Sequence, residues 1–245
     1  MSPDARKMDS CVSVVIGLGE VGRPLLKVLE HAHRVEGIDL PARDVAGLVD
    51  LLHVCYPAEI ADFVGITVGY VKRYRPEIAV IHSTVPVGTA RAVQAVVPVP
   101  VVHSPVRGKH ARMEEELLRY TKFIGTSDPA TAARVERYLQ QAGMRTRWLE
   151  SPEATELAKL TETTYFGLLI AFAQDLDRMA RRVGVPYEAI TSFYDEIGYL
   201  PATRFFPGVI GGHCVMENIA LLKRLQRSNL LEAIEWSNGL RQEVG

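Results

Sequence analysis

From residue 11 to about residue 150 the chain alternates between short β-branched apolar runs and longer amphipathic stretches, and this alternation limits the fold more than any other feature. CVSVVIG, HRVEGID, DLLHVCYP, IAVIHST, VPVVHSP, TKFIGTS and RTRWLE read as strands. EVGRPLLKVLEHA, AEIADFVGITVGYVKRY, VGTARAVQAVV, ARMEEELLRY and PATAARVERYLQQAG read as helices between them. Strand and helix periods alternating at this length predict an α/β, Rossmann-like, doubly wound and mostly parallel sheet covered on both faces.

After residue 150 the strand signals stop. Ser151 is an N-cap candidate with Pro152 at the first helical position, and Gly184 is a natural stop some thirty residues later. Between them Leu157, Leu160, Tyr165, Leu168, Leu169, Phe172 and Leu176 recur at helical spacing, so this long helix needs partners on more than one side. PYEAITSFYDEIG and two C-terminal helices follow. The expectation is a dinucleotide-binding domain over 1–150 and a small all-helical domain over 151–245, joined by the long helix.

Composition excludes several functions. With 28 basic against 29 acidic residues and a net charge of −1, the chain has no electrostatic signature of a nucleic-acid or membrane-surface partner. Cys11, Cys55 and Cys214 are far apart and lack metal-ligand or disulfide spacing, which suits a reducing compartment. The polar start MSPDARKMDS lacks the apolar region of a signal peptide, and no run approaches the ~18 apolar residues of a membrane span. A cytoplasmic protein without a metal is expected. Cys11 and Cys55, in apolar strands, read as buried filling.

VVIGLGEVGRPL places Gly17, Gly19 and Gly22 in G-x-G-x-x-G spacing between the first strand and first helix. There the first glycine permits a tight turn, the second lets a pyrophosphate approach the backbone, and the third lets helix and strand pack closely. Leu18, Glu20 and Val21 complete the turn. Asp39 ends the second strand about twenty residues on, where a carboxylate accepts hydrogen bonds from the adenosine ribose and repels a 2′-phosphate. The cofactor expected is therefore NAD.

Four segments then resemble the UDP-glucose/GDP-mannose dehydrogenase family, in that family's order: GLGEVGRPL (17–25), HSTVPVGT (82–89), ELAKLTETTYFGLLIAFAQDL (156–176) and PGVIGGHCVMENIALL (207–222). The resemblance implies oxidation of a sugar-nucleotide primary alcohol to a carboxylate with two NAD per turnover. It implies that Cys214 forms a thiohemiacetal and then a thioester, and that Lys159 holds developing negative charge on the substrate oxygen. It also implies that Ser83 and Thr84 lie beside the nicotinamide, that Tyr56 and Pro57 form a second cofactor-side loop, and that the long helix forms a dimer interface.

The chain departs from the family at four places. Thr163 stands where the family has an asparagine, and Asn218 where it has an aspartate. Asn218 can hydrogen-bond but cannot take a proton as a carboxylate does. Val106 stands at the position of a glutamate, and the family's third, nucleotide-binding domain has no counterpart in these 245 residues. In place of the carboxylates, HSPVRGKHAR supplies His103, Arg107, Lys109, His110 and Arg112 after a strand at the sheet's carboxyl edge. This suggests an anionic substrate gripped by Arg107 and Lys109, with His103, His110 or His213 as base and Arg204 as a further contact.

Three readings follow. The first is an NAD-dependent oxidoreductase acting on an alcohol of an anionic sugar or sugar-nucleotide-like substrate, through Lys159 and Cys214. The second is an NAD-binding sensor or regulator without dehydrogenase activity. The third is a two-electron β-hydroxyacid-type dehydrogenase that relies on Lys159 and needs no cysteine.

Overall fold

The structure is a computed structural model and describes residues 11–39, 41–198, 205–211 and 213–244. It divides into two compact units, Met1–Lys159 and Leu160–Gly245.

In the first unit seven strands form one sheet: β1 (Cys11–Ile16), β2 (Val35–Ile38), β3 (Leu48–Val54), β4 (Ile78–Ile81), β5 (Val101–His103), β6 (Lys122–Gly125) and β7 (Thr146–Leu149). Their order is β2-β1-β3-β4-β5-β6-β7, and every neighbouring pair is parallel except β5 and β6. The chain leaves β1 for one edge of the sheet and returns to the other side of β1 as β3. The crevice beyond the carboxyl ends of β1 and β3 is therefore the topological switch point, where open α/β sheets bind ligands.

Alternation along the strands builds two apolar layers. Val12, Val14 and Ile16 face α2 (Phe63–Tyr74) and α3 (Thr89–Gln94). Val15 faces the opposite layer, with α1 (Gly22–Glu30), α4 (Met113–Arg119) and α5 (Pro129–Gln141). In β3 an extra residue lies between the pairs Val12↔Val49 and Val14↔Leu52. This bulge reverses the parity of the strand, so Val49 shares a layer with Leu52 and Val54 although it lies three positions before Leu52. Each fully buried Leu, Ile or Val contributes about 1.5–3 kcal/mol, which makes the double-sided sheet the dominant stabilising feature.

The long helix α6 (Pro152–Val183) forms as its caps predict. The Ser151 hydroxyl accepts from the Ala154 amide at 3.3 Å, and Gly184 takes φ +73°, with Val185 N–H donating to Ala180 C=O at 3.0 Å. Its first two turns belong to the sheet unit. Gly125 is so close to the start of the helix that a Cβ there would lie 2.8 Å from Pro152 Cα and 2.3 Å from Thr155 Oγ1.

The second unit contains the rest of α6, then α7 (Tyr187–Ser192), a 3₁₀ turn (Phe193–Glu196), α8 (His213–Leu225) and α9 (Asn229–Val244). The buried face of α6 is lined by Leu160, Thr164, Gly167, Ala171 and Gln174, mostly small residues. At Gly167 a Cβ would come within 2.5 Å of Val215 on α8. Tyr165, Phe172 and Met179, spaced seven residues apart, are all more than half exposed. The apolar positions picked out by spacing thus divide between a packed face and an uncovered one. Among the described residues no helix is long and apolar enough to cross a membrane.

The tightest backbone approach in the first unit tests the fold directly. A Cβ on Gly22 would lie 1.8 Å from the Gly17 carbonyl oxygen, an atom that cannot swing aside. Gly22→Ala should cost at least about 2 kcal/mol in chemical denaturation and weaken dinucleotide binding. Gly69→Ala, where a Cβ meets nothing within 4 Å, should not destabilise the protein.

Candidate functional site

The three glycines play three different physical roles. Gly17, at φ +89°, would put a Cβ 2.7 Å from the Tyr56 amide nitrogen, so this turn lies flat against the loop after β3. Gly22 packs the start of α1 onto Gly17. A Cβ on Gly19 would meet nothing within 4 Å, which leaves open space on the side from which a phosphate reaches the backbone. Asp39 is exposed just beyond the end of β2, at the distance along the chain that a ribose contact needs. These residues fit the pyrophosphate and adenosine ribose of a dinucleotide.

The neighbouring loops are tied to the same turn. Ser83 Oγ donates to Tyr56 C=O at 2.6 Å, so its hydroxyl joins the loop after β4 to the loop after β3. Tyr56 packs its ring on Phe63 and bonds its hydroxyl to Thr67, and burial pushes its pKa up. Thr84 is half-buried and Pro57 exposed. Glu20, in the glycine turn, pairs with His110 from the segment after β5.

Around the start of α6 lies a second set of contacts. The Glu156 carboxylate, 1% exposed, accepts from the amides of Gly88 (2.6 Å) and Ala90 (2.8 Å) and so caps α3. Burial, opposed by these amide bonds, pushes its pKa up. One turn later, Lys159 is half-buried at the last position of the sheet unit.

The cationic segment after β5 does not act as one group. His103 is fully buried, with Nδ1 2.7 Å from Thr155 Oγ1 and Nε2 3.1 Å from Ser83 C=O. Burial first, and then the charges of Lys122 and Lys159, hold its pKa down at about 3. The expectation of His103 as a substrate-side base is therefore corrected: the ring braces β5 against the loop after β4 and the start of α6. Arg107 is half-buried, donates to Thr121 C=O at 2.9 Å, and lies over the rings of Phe123 and Tyr120. Lys109 and His110 are exposed. Arg204 and the side chain of His213 lie outside the described residues.

Cys214 is exposed in the first turn of α8. One turn on, Asn218 is 4% exposed and donates from Nδ2 to Thr163 Oγ1 at 2.5 Å. The two substitutions that the sequence presents separately are thus partners. Asn238 holds the preceding segment through both backbone groups of Ile210, and Gln174 donates to Gly208 C=O at 2.7 Å. Cys55 is buried, as expected, and burial pushes its thiol up to about 12. Cys11 is half-buried at the first residue of β1, not the filler its strand suggests.

Known proteins resemble this chain in sequence and in fold. Residues 153–239 match the central domain of the UDP-glucose/GDP-mannose dehydrogenase family. The match covers 87 of the 245 residues. The chain is 29% identical over 161 residues to UDP-N-acetyl-D-mannosamine dehydrogenase of Pyrococcus horikoshii, covering 60% of this chain and 38% of that protein. It is 22% identical over 252 residues to the Methanococcus vannielii protein of the same name, covering 82% and 58%. The chain thus spans well under two thirds of the length of these curated relatives. In fold it is similar to the solved Pyrococcus horikoshii UDP-D-ManNAc dehydrogenase (TM-score 0.78, 18% identity, 93% of this chain and 68% of that one). It is also similar to Mycobacterium tuberculosis 3-hydroxyisobutyrate dehydrogenase (TM-score 0.74, 15% identity, 95% and 93%).

Sequence reasoning assigned no role to a buried ionisable set on the α1 side of the sheet. His53 and His82 are fully buried, and Lys122 is 3% exposed. His53 Nδ1 and His82 Nε2 are 2.9 Å apart, and Lys122 Nζ is 3.0 Å from His82 Nδ1. The available signal was the presence of His and Lys inside the apolar runs DLLHVCYP, IAVIHST and TKFIGTS. Burial, then the Lys122 charge, pushes His53 down to about 3 and His82 well below 6.5.

A histidine whose folded pKa is lowered stabilises the fold fully above its unfolded value, near 6.5, and loses that contribution as pH falls toward the folded value. Stability should therefore fall between pH 6.5 and 4 by about 1.4 kcal/mol per pH unit for each such histidine. His53→Leu should reduce the slope by one proton, measured from urea midpoints and m-values across that range.

Proposed function

We propose that the chain is an NAD-dependent oxidoreductase that oxidises an alcohol of an anionic sugar or sugar-nucleotide-like substrate. The observation that carries this reading is the family's central-domain match over 153–239 in a chain whose sheet unit has a glycine turn open at Gly19. The dinucleotide, held by Gly17–Gly22, Asp39 and the Tyr56 and Ser83 loops, supplies the acceptor for a hydride from the alcohol carbon.

In this proposal the Lys159 ammonium stabilises the negative charge that develops on the substrate oxygen as its proton leaves. Cys214 adds through sulfur to the carbonyl carbon of the resulting aldehyde, giving a thiohemiacetal. Asn218, with its amide spent on Thr163, orients groups near Cys214 and takes no proton. Arg107, Lys109 and His110 are proposed to meet the anionic part of the substrate. The uncovered Tyr165, Phe172 and Met179 stripe supports a homodimer formed through α6.

A second reading has its own supporting observation. The 3-hydroxyisobutyrate dehydrogenase fold is matched over 93% of that protein's length. A two-electron oxidation relying on Lys159 without the cysteine is proposed as the alternative.

NADH formation at 340 nm, followed across UDP-sugars and small anionic hydroxy acids, distinguishes these readings. Under the first, Lys159→Met lowers kcat at least about a hundredfold, and Cys214→Ser abolishes carboxylate formation from UDP-sugars. Under the second, Lys159→Met has the same effect, but Cys214→Ser leaves turnover of hydroxy acids nearly unchanged. Binding of NAD with no turnover of any substrate in the panel would favour a sensor or regulator.

A further inference from the structure

We propose that Lys122, seated against His82, forms a proton-linked floor beneath the dinucleotide cradle, so that Lys122 takes up a proton when the pyrophosphate of the dinucleotide binds. This rests on the cofactor reading above and adds a residue to it.

Register and connectivity place the pair there. β6 runs antiparallel to β5 with His103 opposite Gly125, so Lys122, three residues before Gly125, lies on the side of the sheet where the parallel strands end. Lys122 Nζ donates to Ser104 C=O and contacts His82 Nδ1. His82 immediately precedes Ser83, whose hydroxyl binds Tyr56 C=O, and the Tyr56 backbone is what a Cβ on Gly17 would strike. On the other side Lys122 interacts electrostatically with Cys55, whose Cβ would lie 3.2 Å from a Cβ on Gly22. Both short routes from the amine thus end at the phosphate-binding turn.

Among the described residues, no anion balances Lys122. The groups facing it are His53 and Cys55 from β3 and the residue after it, His82 from the end of β4, and His103 from β5. Arg107 faces it from the following loop and Lys159 from α6. All are neutral or cationic, and among the described residues Lys122 has no carboxylate ion pair within 4.0 Å. Burial, reinforced by the Lys159 and Arg107 charges, lowers this amine to about 7, so at neutral pH it lies near half-protonation. An arriving pyrophosphate brings negative charge to this cationic neighbourhood and draws a proton onto the amine.

His82 Nδ1 lies 2.8 Å from Ser104 C=O, an atom that only accepts, so Nδ1 carries the proton and Nε2 accepts from His53 Nδ1–H. The same carbonyl accepts from Lys122 whether the amine is neutral or charged, so proton uptake needs no change of tautomer along the chain. The buried His53 Nε2 is left without a hydrogen bond.

The test is calorimetric titration with NAD+ at pH 6.5, 7.5 and 8.5, each in two buffers of different ionisation heat. The wild-type protein should take up a fraction of a proton, most strongly near pH 7, and bind NAD+ about three- to tenfold more weakly at pH 8.5 than at pH 6.5. Lys122→Met should bind without this uptake and with a flat pH profile. His31→Gln, at an exposed histidine that ends α1 away from the glycine turn, should retain the uptake. If Lys122→Met does not fold, His82→Gln takes its place and should move the pH of maximal uptake. Equal uptake in the Lys122 variant, or an unmoved maximum in the His82 substitute, overturns the proposal. NAD+ binding by wild type without proton exchange overturns it while the cofactor reading stands. Failure of wild type to bind NAD+ refutes both.

Discussion

Three stretches of backbone meet at Gly17: the end of β1, the start of α1 at Gly22 and the loop after β3 at Tyr56. A side chain at Gly17 or Gly22 would collide with main-chain atoms, which cannot relax as flexible side chains do. This contact sets the height of α1 above the sheet and fixes the width of the switch-point crevice. Ser83 extends it to β4 through Tyr56 C=O, so the loops after three adjacent strands are tied to one another. A binding surface made this way is preorganised before a ligand arrives, and little ordering entropy remains for binding to overcome.

At the far side of the sheet, α6 is fixed by a different device. Glu156 substitutes for the missing carbonyl acceptors at the start of α3, and Thr155 bonds to His103, which reaches Ser83 C=O. The turn that carries Lys159 is therefore braced against the loop that carries Ser83 and Thr84. A carboxylate with two amide donors and an imidazole with both nitrogens engaged are costly to bury unless satisfied, and here each is satisfied within the sheet unit. Loss of either partner leaves a buried polar group exposed to an apolar layer, so the geometry is held more rigidly than packing alone would hold it.

The sheet and its helices were legible because their signals are local. Alternation, glycine spacing, Ser151–Pro152 and Gly184 each report on neighbours within one turn or one strand. What the sequence concealed is cross-strand. His53, His82 and Lys122 are 29 and 40 residues apart along the chain, and only the strand order brings their nitrogens together. His103 was misassigned for the same reason: its position at the end of a strand suggests exposure, but α6 covers it with Thr155. The bulge in β3 was equally invisible, since one extra residue alters which side chains share a face without changing the composition of the run.

Thr163 and Asn218 extend this point to chemistry. Read singly, each departs from the pattern of the family, and each suggests loss of function. Paired at 2.5 Å, they form a neutral hydrogen bond where a family aspartate would put a negative charge. A neutral pair costs less to bury than an ionised carboxylate and brings no field that would oppose an anion or a developing alkoxide. With its amide donated to Thr163, Asn218 offers this position a neutral hydrogen bond and no proton acceptor of carboxylate strength. A neutral pair thus stands where a charged carboxylate would otherwise need burial, and among the described residues of the sheet unit Lys122 is likewise buried without a carboxylate ion pair.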